Sequence, residues 1–177
     1  DTDTLRKRYY NSLDSLSFGG NVADYKEKVN LIDGVGGVKV WPVWAGGGTV
    51  KLTIIGSDYR VPSSELIDAV QTAVDPETNH GEGLGLAPIG HSVTVTGVIN
   101  EIVDIKSKIT FVTGWTYAEA RSQVEAAIDA YFSLLAEQWA EEETLIVRIA
   151  QIEMQILNVS CVLDVMDTQL NGNAKNL

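Results

Sequence analysis

The chain has 177 residues, 45% apolar and 21% charged, with four prolines and no low-complexity tract, so a globular fold with a sizeable core is expected and intrinsic disorder is excluded. Its formal charge of −11, from 24 acidic against 13 basic residues, would repel phosphate backbones and anionic lipid, which argues against nucleic acid or a membrane surface as partner. No apolar run is long enough to span a bilayer and no signal peptide precedes the first helix, a pattern that reads as cytosolic in origin, while the start at Asp1 reads as that of a fragment or processed product.

Residues 4–16 place Leu5, Tyr9, Leu13 and Leu16 at helical spacing and predict an amphipathic arm. Within it, Leu5-Arg6-Lys7-Arg8 is the only basic run, and a run that short reads as a solvated helix face. The stretch FGGNVADY, residues 18–25, follows. A glycine pair opening a helix can present N–H groups to an anion. The alternative is a hinge, with Asn21 as N-cap and Asp24 at the third helical position as in a capping box. Either way a helix starts at Val22, with Val22, Tyr25, Val29 and Ile32 on one face and a stop at Gly34.

The runs VKVWPVW and TVKLTIIG bracket AGGG, which signals a hairpin, and Pro42 makes its first strand an edge or bulged one. Ser63 or Ser64 caps a helix over 65–74 with Leu66, Ala69, Val70 and Ala73 as its buried stripe. Residues 76–90, PETNHGEGLGLAPIG, lack a periodic apolar pattern and predict a long surface loop, a kind of segment that is often functional or mobile. A strand over 92–98 completes a first α/β unit.

INEIVDIKSKITFVT, residues 99–113, predicts one long strand with Ile99, Val103, Ile105, Ile109 and Phe111 on one face. Thr116 and Glu119 then form a capping box for a helix reaching about Trp139, some ~36 Å long. Its inward residues are predicted as Tyr117, Ala120, Val124, Ala127, Ile128, Tyr131, Leu134 and Leu135. After the acidic turn Glu141–Glu143 come a helix over 148–157 and a last strand over 160–166, in which Cys161 packs as a small hydrophobe. The expected fold class is α/β (α+β): an arm over 1–20, a first module over 21–98 and a second β-α-α-β module over 99–177, each module a two-layer sandwich.

Catalytic and metal chemistry finds little support. His80 and His91 flank the long loop without a second His or Cys at ligand spacing, and read as surface residues. Gly90-His91-Ser92-Val93-Thr94 lacks the last glycine of a nucleophile elbow and precedes a strand where that turn requires a helix. The G-x-G of GEGLGLAPIG follows a helix and precedes a strand, the reverse of the dinucleotide order. The Glu137 and Glu141–Glu143 cluster has no alternating oxygen-ligand loop. No cofactor, metal or enzymatic activity is expected. Four tryptophans remain; Trp41 and Trp44 are candidate interface anchors if exposed, with at least two of the four expected to be buried.

The ordered motifs D-T-L-R-x-R, F-G-G-N-x-x-D-Y, D-G-V-G-x-V-x-V-x-P, G-G-G-T-V-x-L and L-D-V-x-D-x-x-L-N-G resemble the C-terminal part of baseplate J-like proteins, wedge components of contractile phage tails and related particles. The resemblance rests on their order and spacing over nearly the whole chain. It marks Gly19, Gly20, Asn21, Asp24, Tyr25, Asn171 and Gly172 as structural-motif positions. It implies a structural protein, made in the bacterial cytoplasm and built into the tail baseplate of a virion or phage-like particle. Copies would associate with one another and with other wedge subunits around the tail tube. The family's N-terminal region has no counterpart here, and the acidic turn Glu141–Glu143 has no place in its pattern. A different reading is a small-molecule-binding or enzymatic α/β domain using the glycine-rich loop 76–91.

Overall fold

The computed structural model describes residues 2, 5, 6, 9 and 17–177. Thr2, Leu5, Arg6 and Tyr9 are helical, while Leu13 and Leu16 of the predicted arm lie outside the described residues. Two compact units emerge, Asp1–Ile99 and Asn100–Leu177. Among the described residues they hold four α-helices and five strands in two small sheets, a mixed α/β fold of the α+β kind.

The first unit runs α1 (Val22–Val29), β1 (Val35–Pro42), β2 (Thr49–Gly56), α2 (Ser64–Val74) and β3 (Ser92–Gly97), with sheet order β1-β2-β3. β1 and β2 form the predicted antiparallel hairpin, whereas β3 lies parallel to β2, an arrangement that needs the crossover through α2. Alternation sends Val50, Leu52 and Ile54 to one face, opposite Val93, Val95 and Val38 respectively. These join Tyr25 and Val29 of α1 and Val70 and Val74 of α2 in one core. Leu52 and Ile54 are fully buried, each stabilising by about 1.5–3 kcal/mol. Pro42 does sit on an edge strand, and the bulge of that strand is at Gly36, at the end of β1 opposite to Pro42 and the hairpin turn.

The second unit runs β4 (Ile105–Phe111), α3 (Tyr117–Gln138), α4 (Ile149–Leu157) and β5 (Val162–Leu170), with β4 and β5 antiparallel. Ala120, Val124 and Tyr131 of α3 meet Ile152 and Ile156 of α4 and Val162 and Leu170 of β5 in a second core. The Glu119 carboxylate accepts from both the Thr116 backbone N–H and hydroxyl at 2.8 Å, which fixes the start of α3. The last residue is tied in as well, since Leu177 and Val147 exchange backbone bonds and Asn176 Oδ1 accepts from Ile149 N–H at the start of α4.

Several expectations need correction. The strand predicted over 99–113 begins only at Ile105, and Ile99 and Ile102 are 87% and 80% exposed. In α2 the buried positions are Val70, Gln71 and Val74, while Ala69 and Ala73 face solvent. Val22 and Tyr117, each the first residue of its helix, and Leu134, all predicted to face inward, are exposed. The last strand starts at Val162, so Cys161 is buried in the turn before it. None of the four tryptophans is buried.

Candidate functional site

FGGNVADY folds into a small knot at the start of α1. Gly19 and Gly20 take left-handed φ values of +59° and +82° and turn the chain into the helix. Asn21 Oδ1 accepts from Asp24 N–H at 2.8 Å, and Asp24 Oδ2 accepts from Gly20 N–H at 2.9 Å. The arrangement is a variant of the capping box: aspartate stands where glutamate is usual, and it accepts from Gly20, the residue before the N-cap, instead of from Asn21 itself. Lys28 Nζ reaches the same Asp24 oxygen at 2.9 Å, one helical turn on. Burial alone would raise the Asp24 carboxyl, but hydrogen bonds from Lys28, Gly20 and Ser17 outweigh it and hold the group below the ordinary carboxylate range. A carboxylate therefore occupies the position at which an anion cradle would receive its ligand.

The knot meets the far end of the long loop. A Cβ added at Gly20 would lie 2.5 Å from Pro88 Cγ and 3.1 Å from His91 Cε1, so only glycine lets the two segments touch. At the fourth residue of α1, the Tyr25 hydroxyl hydrogen-bonds His91 Nδ1 at 2.8 Å and the rings stack with centroids 6.0 Å apart. Burial, together with the Asp75 and Asp24 charges, raises the Tyr25 pKa far above its usual value. Tyr25 is the hydroxyl-bearing partner here, neutral at all ordinary pH. GGN-x-x-DY and APIGH, nearly 70 residues apart in sequence, form one structural joint.

Two polar residues that sequence reasoning missed organise the rest of the loop. Asp75, 1% exposed, accepts from Val93 N–H at 2.8 Å, Gly81 N–H at 3.1 Å and His80 Nδ1 at 2.6 Å. Burial raises its carboxyl, and the bonds from Val93, His80 and Gly81 more than offset that, leaving it below the usual range. Gln71 donates to the carbonyls of Asp75 and Val93 at 2.6 and 3.0 Å and accepts from Val95 N–H at 2.8 Å. The outward backbone groups of Val93 and the N–H of Val95 in edge strand β3 are thereby bonded by the side chains of Gln71 in α2 and of Asp75, its C-cap. The signal in the sequence was a pair of polar residues at i and i+4 beside Val70 and Val74.

Both histidines of the loop are thus engaged internally, and Leu86 and Ala87 N–H groups bond the carbonyls of Ala73 and Val74. Among the described residues no three His, Cys, Asp or Glu side chains are grouped to hold a metal, and no helix is long and apolar enough to cross a membrane. Trp41 and Trp44 are 48% and 49% exposed at the β1–β2 tip. Trp41 Nε1 donates to Thr53 Oγ1 at 3.1 Å, and Lys51 Nζ stands 5.7 Å from the Trp44 ring centroid. At the other end of the chain, Asn171 and Gly172 form a left-handed turn after β5, with φ of +48° and +75°. Asn171 Oδ1 accepts from Asp104 N–H at 2.8 Å while Asn171 N–H donates to the Asp104 carbonyl, clamping the start of β4.

The Baseplate J-like central domain matches residues 17–97 and the Baseplate J-like protein C-terminal domain matches residues 103–177. Two proteins of Bacillus subtilis (strain 168) are similar to the chain. "Uncharacterized protein YqbT" is 33% identical over 177 residues, covering 100% of this chain and 49% of the relative. "Phage-like element PBSX protein XkdT" is 33% identical over 175 residues, covering 99% of this chain and 48% of the relative. The chain spans about half the length of these curated relatives.

Proposed function

Because the chain belongs to the baseplate J-like family, we propose that it is a structural, non-enzymatic part of a phage tail baseplate. The observation that carries the reading is the order of the two family domains, central then C-terminal, over residues 17–177. The similarity to a protein of a phage-like element supports it. In finer terms, the protein is a wedge component of a contractile tail or phage-derived particle. It associates with copies of itself and with other baseplate subunits around the tail tube, and its final location is the particle.

Within that proposal the chain divides into an arm over 1–20, a first module over 21–98 and a second over 99–177. Gly19, Gly20, Asn21, Asp24 and Tyr25 join the arm to the first module, where they meet the loop end at Pro88 and His91, and Asn171 and Gly172 hold the start of β4. Trp41 and Trp44, half-exposed aromatics at a hairpin tip, serve as interface anchors. The test is immunogold labelling and high-resolution imaging of the intact particle, expected to find the chain in the baseplate. Particles that assemble normally in its absence would refute the role.

A further inference from the structure

Helix α4 starts without a cap of its own. Arg148 stands at the N-cap position and supplies no side-chain acceptor, and its own N–H is taken by the Tyr131 hydroxyl at 3.1 Å. The first N–H groups of a helix have no partner within it, and the residue before the helix ordinarily provides one. In α4 the Ile149 N–H donates instead to Asn176 Oδ1 at 3.0 Å, across 27 residues of sequence. The neighbouring residues on both sides repeat the contact: Val147 N–H donates to the Leu177 carbonyl at 2.8 Å, and Leu177 N–H to the Val147 carbonyl at 3.1 Å.

The segment that makes these contacts leaves β5 through a tight turn. Asn171 and Gly172 are both left-handed, and Leu170 and Asn173 exchange backbone hydrogen bonds at 2.9 Å. This is the type I′ hairpin geometry, for which Asn-Gly is the favoured pair, so two adjacent residues fix the direction in which the chain leaves β5. The turn is anchored a second time, since Asn171 holds both the N–H and the carbonyl of Asp104. Beyond Asn173 the character changes. Ala174, Lys175 and Asn176 are exposed and Leu177 is 39% exposed. An attachment made of a few hydrogen bonds with little apolar burial is the profile of a part that opens without the rest.

We infer that residues 174–177 form a strap, hinged at the Asn171–Gly172 turn and latched by Asn176 and Leu177, which opens and closes over the start of α4 as a unit while the second core stays folded. Closed, the strap satisfies the Ile149 N–H and both backbone groups of Val147. Open, it releases those three groups together, and the Tyr131 hydroxyl alone still holds the backbone just before the helix. Hinge and latch separate because their bonds differ in kind. The turn closes on itself through neighbours in sequence, whereas the latch needs one side-chain acceptor and one backbone pair to be met by residues far away. Asn176 acts through its acceptor oxygen, a property that aspartate shares, and a negative charge is favoured at a helix N-terminus. None of these contacts depends on the baseplate reading.

Amide exchange of the full chain, followed by NMR, reads the strap directly, because the Val147 and Ile149 N–H groups have their acceptors in it. In the unsubstituted chain both should exchange at rates that low concentrations of urea leave unchanged, since local opening exposes little surface, while exchange at the buried Ile156 should accelerate with urea. Asn176→Ala should speed exchange about fivefold at Ile149 and at Val147 alike, the effect expected of a lost cap, and leave Asp104 unchanged. Asn176→Asp, which keeps the acceptor, should stay within about twofold of the unsubstituted chain. Exchange at Val147 and Ile149 that follows urea as Ile156 does would overturn the inference, because the strap would then open only with the core. A speed-up confined to Ile149 would rule out opening as a unit, one that reaches Asp104 would rule out the hinge, and an Asn176→Asp chain as fast as Asn176→Ala would rule out the latch at Asn176. Should Asn176→Ala fail to fold, the urea series on the unsubstituted chain and on Asn176→Asp still decides.

Discussion

Gly19 and Gly20 are adjacent and both left-handed, yet alanine should cost very different amounts at the two. At +59° and +82°, either alanine gives up about 1–2 kcal/mol to the clash of its Cβ with its own backbone. At Gly19 nothing else lies within 4 Å of the added atom. At Gly20 the new Cβ would stand 2.5 Å from Cγ and 2.9 Å from Cδ of Pro88, atoms of a ring that cannot rotate aside. Overpacking of that kind adds about 1–3 kcal/mol. Gly20→Ala should therefore destabilise by about 2–5 kcal/mol and Gly19→Ala by about 1–2 kcal/mol. Urea denaturation followed by far-UV circular dichroism measures the difference. Amide exchange at Ala87 and His91, whose N–H groups bond the carbonyls of Val74 and Pro88, locates it: both should speed up in Gly20→Ala and stay slow in Gly19→Ala. Equal costs for the two variants would refute the idea that contact with Pro88 requires a glycine at position 20.

Asn21→Ala should cost about 1 kcal/mol in denaturation, the usual value of a lost N-cap, and a change below roughly 0.3 kcal/mol would contradict the capping geometry. Asp75 titrates below its ordinary value of 3.8 in the folded chain, so the unfolded chain takes up its proton first as pH falls, and the stability it contributes is complete above that value and lost on passing down through the folded one. The stability gap between wild type and Asp75→Asn should accordingly be largest near neutrality and narrow below about pH 4, and a gap independent of pH would argue against an ionised Asp75. Asn171→Gly keeps the left-handed turn but removes the acceptor of Asp104 N–H; it should cost about 1 kcal/mol and speed exchange at Asp104, and unaltered exchange there would count against the clamp.

What could be read in the sequence was what is decided locally. The capping box of α3 is complete within four residues, and its start was legible to the residue. The hairpin of β1 and β2 was legible for the same reason, because its turn residues lie between the strands they join. The start of β4 was not. INEIVDI has the composition of a strand, but Ile105 pairs with Leu170 at the end of β5, and beyond it the Asn171–Gly172 turn leaves a single residue to hold Asp104. Residues 99–103 have strand propensity and no strand to pair with, and propensity without a partner does not make a ladder. The face of α2 was misjudged through the same kind of non-local demand. Gln71 and Asp75 point inward because the outward N–H groups of Val93 and Val95 need acceptors, and an unpaired buried donor costs more than burying an amide or carboxylate that is fully bonded.

The knot at Gly19–Gly20 illustrates how one residue decides between two readings of the same backbone. Left-handed glycines before a helix aim N–H groups at a common point, and the helix dipole makes that point attractive to any negative group. An empty point of this kind binds an external anion; a filled one is a cap. Here Asp24 turns back from the third helical position to take Gly20 N–H, and Lys28 neutralises the carboxylate from the next turn. The charge that the geometry favours is already supplied by the chain, so the glycines act by letting Pro88 and His91 approach. In this chain the acidic residue four positions after the second glycine, with the lysine four further on, makes the glycine pair a closed joint and not a ligand loop.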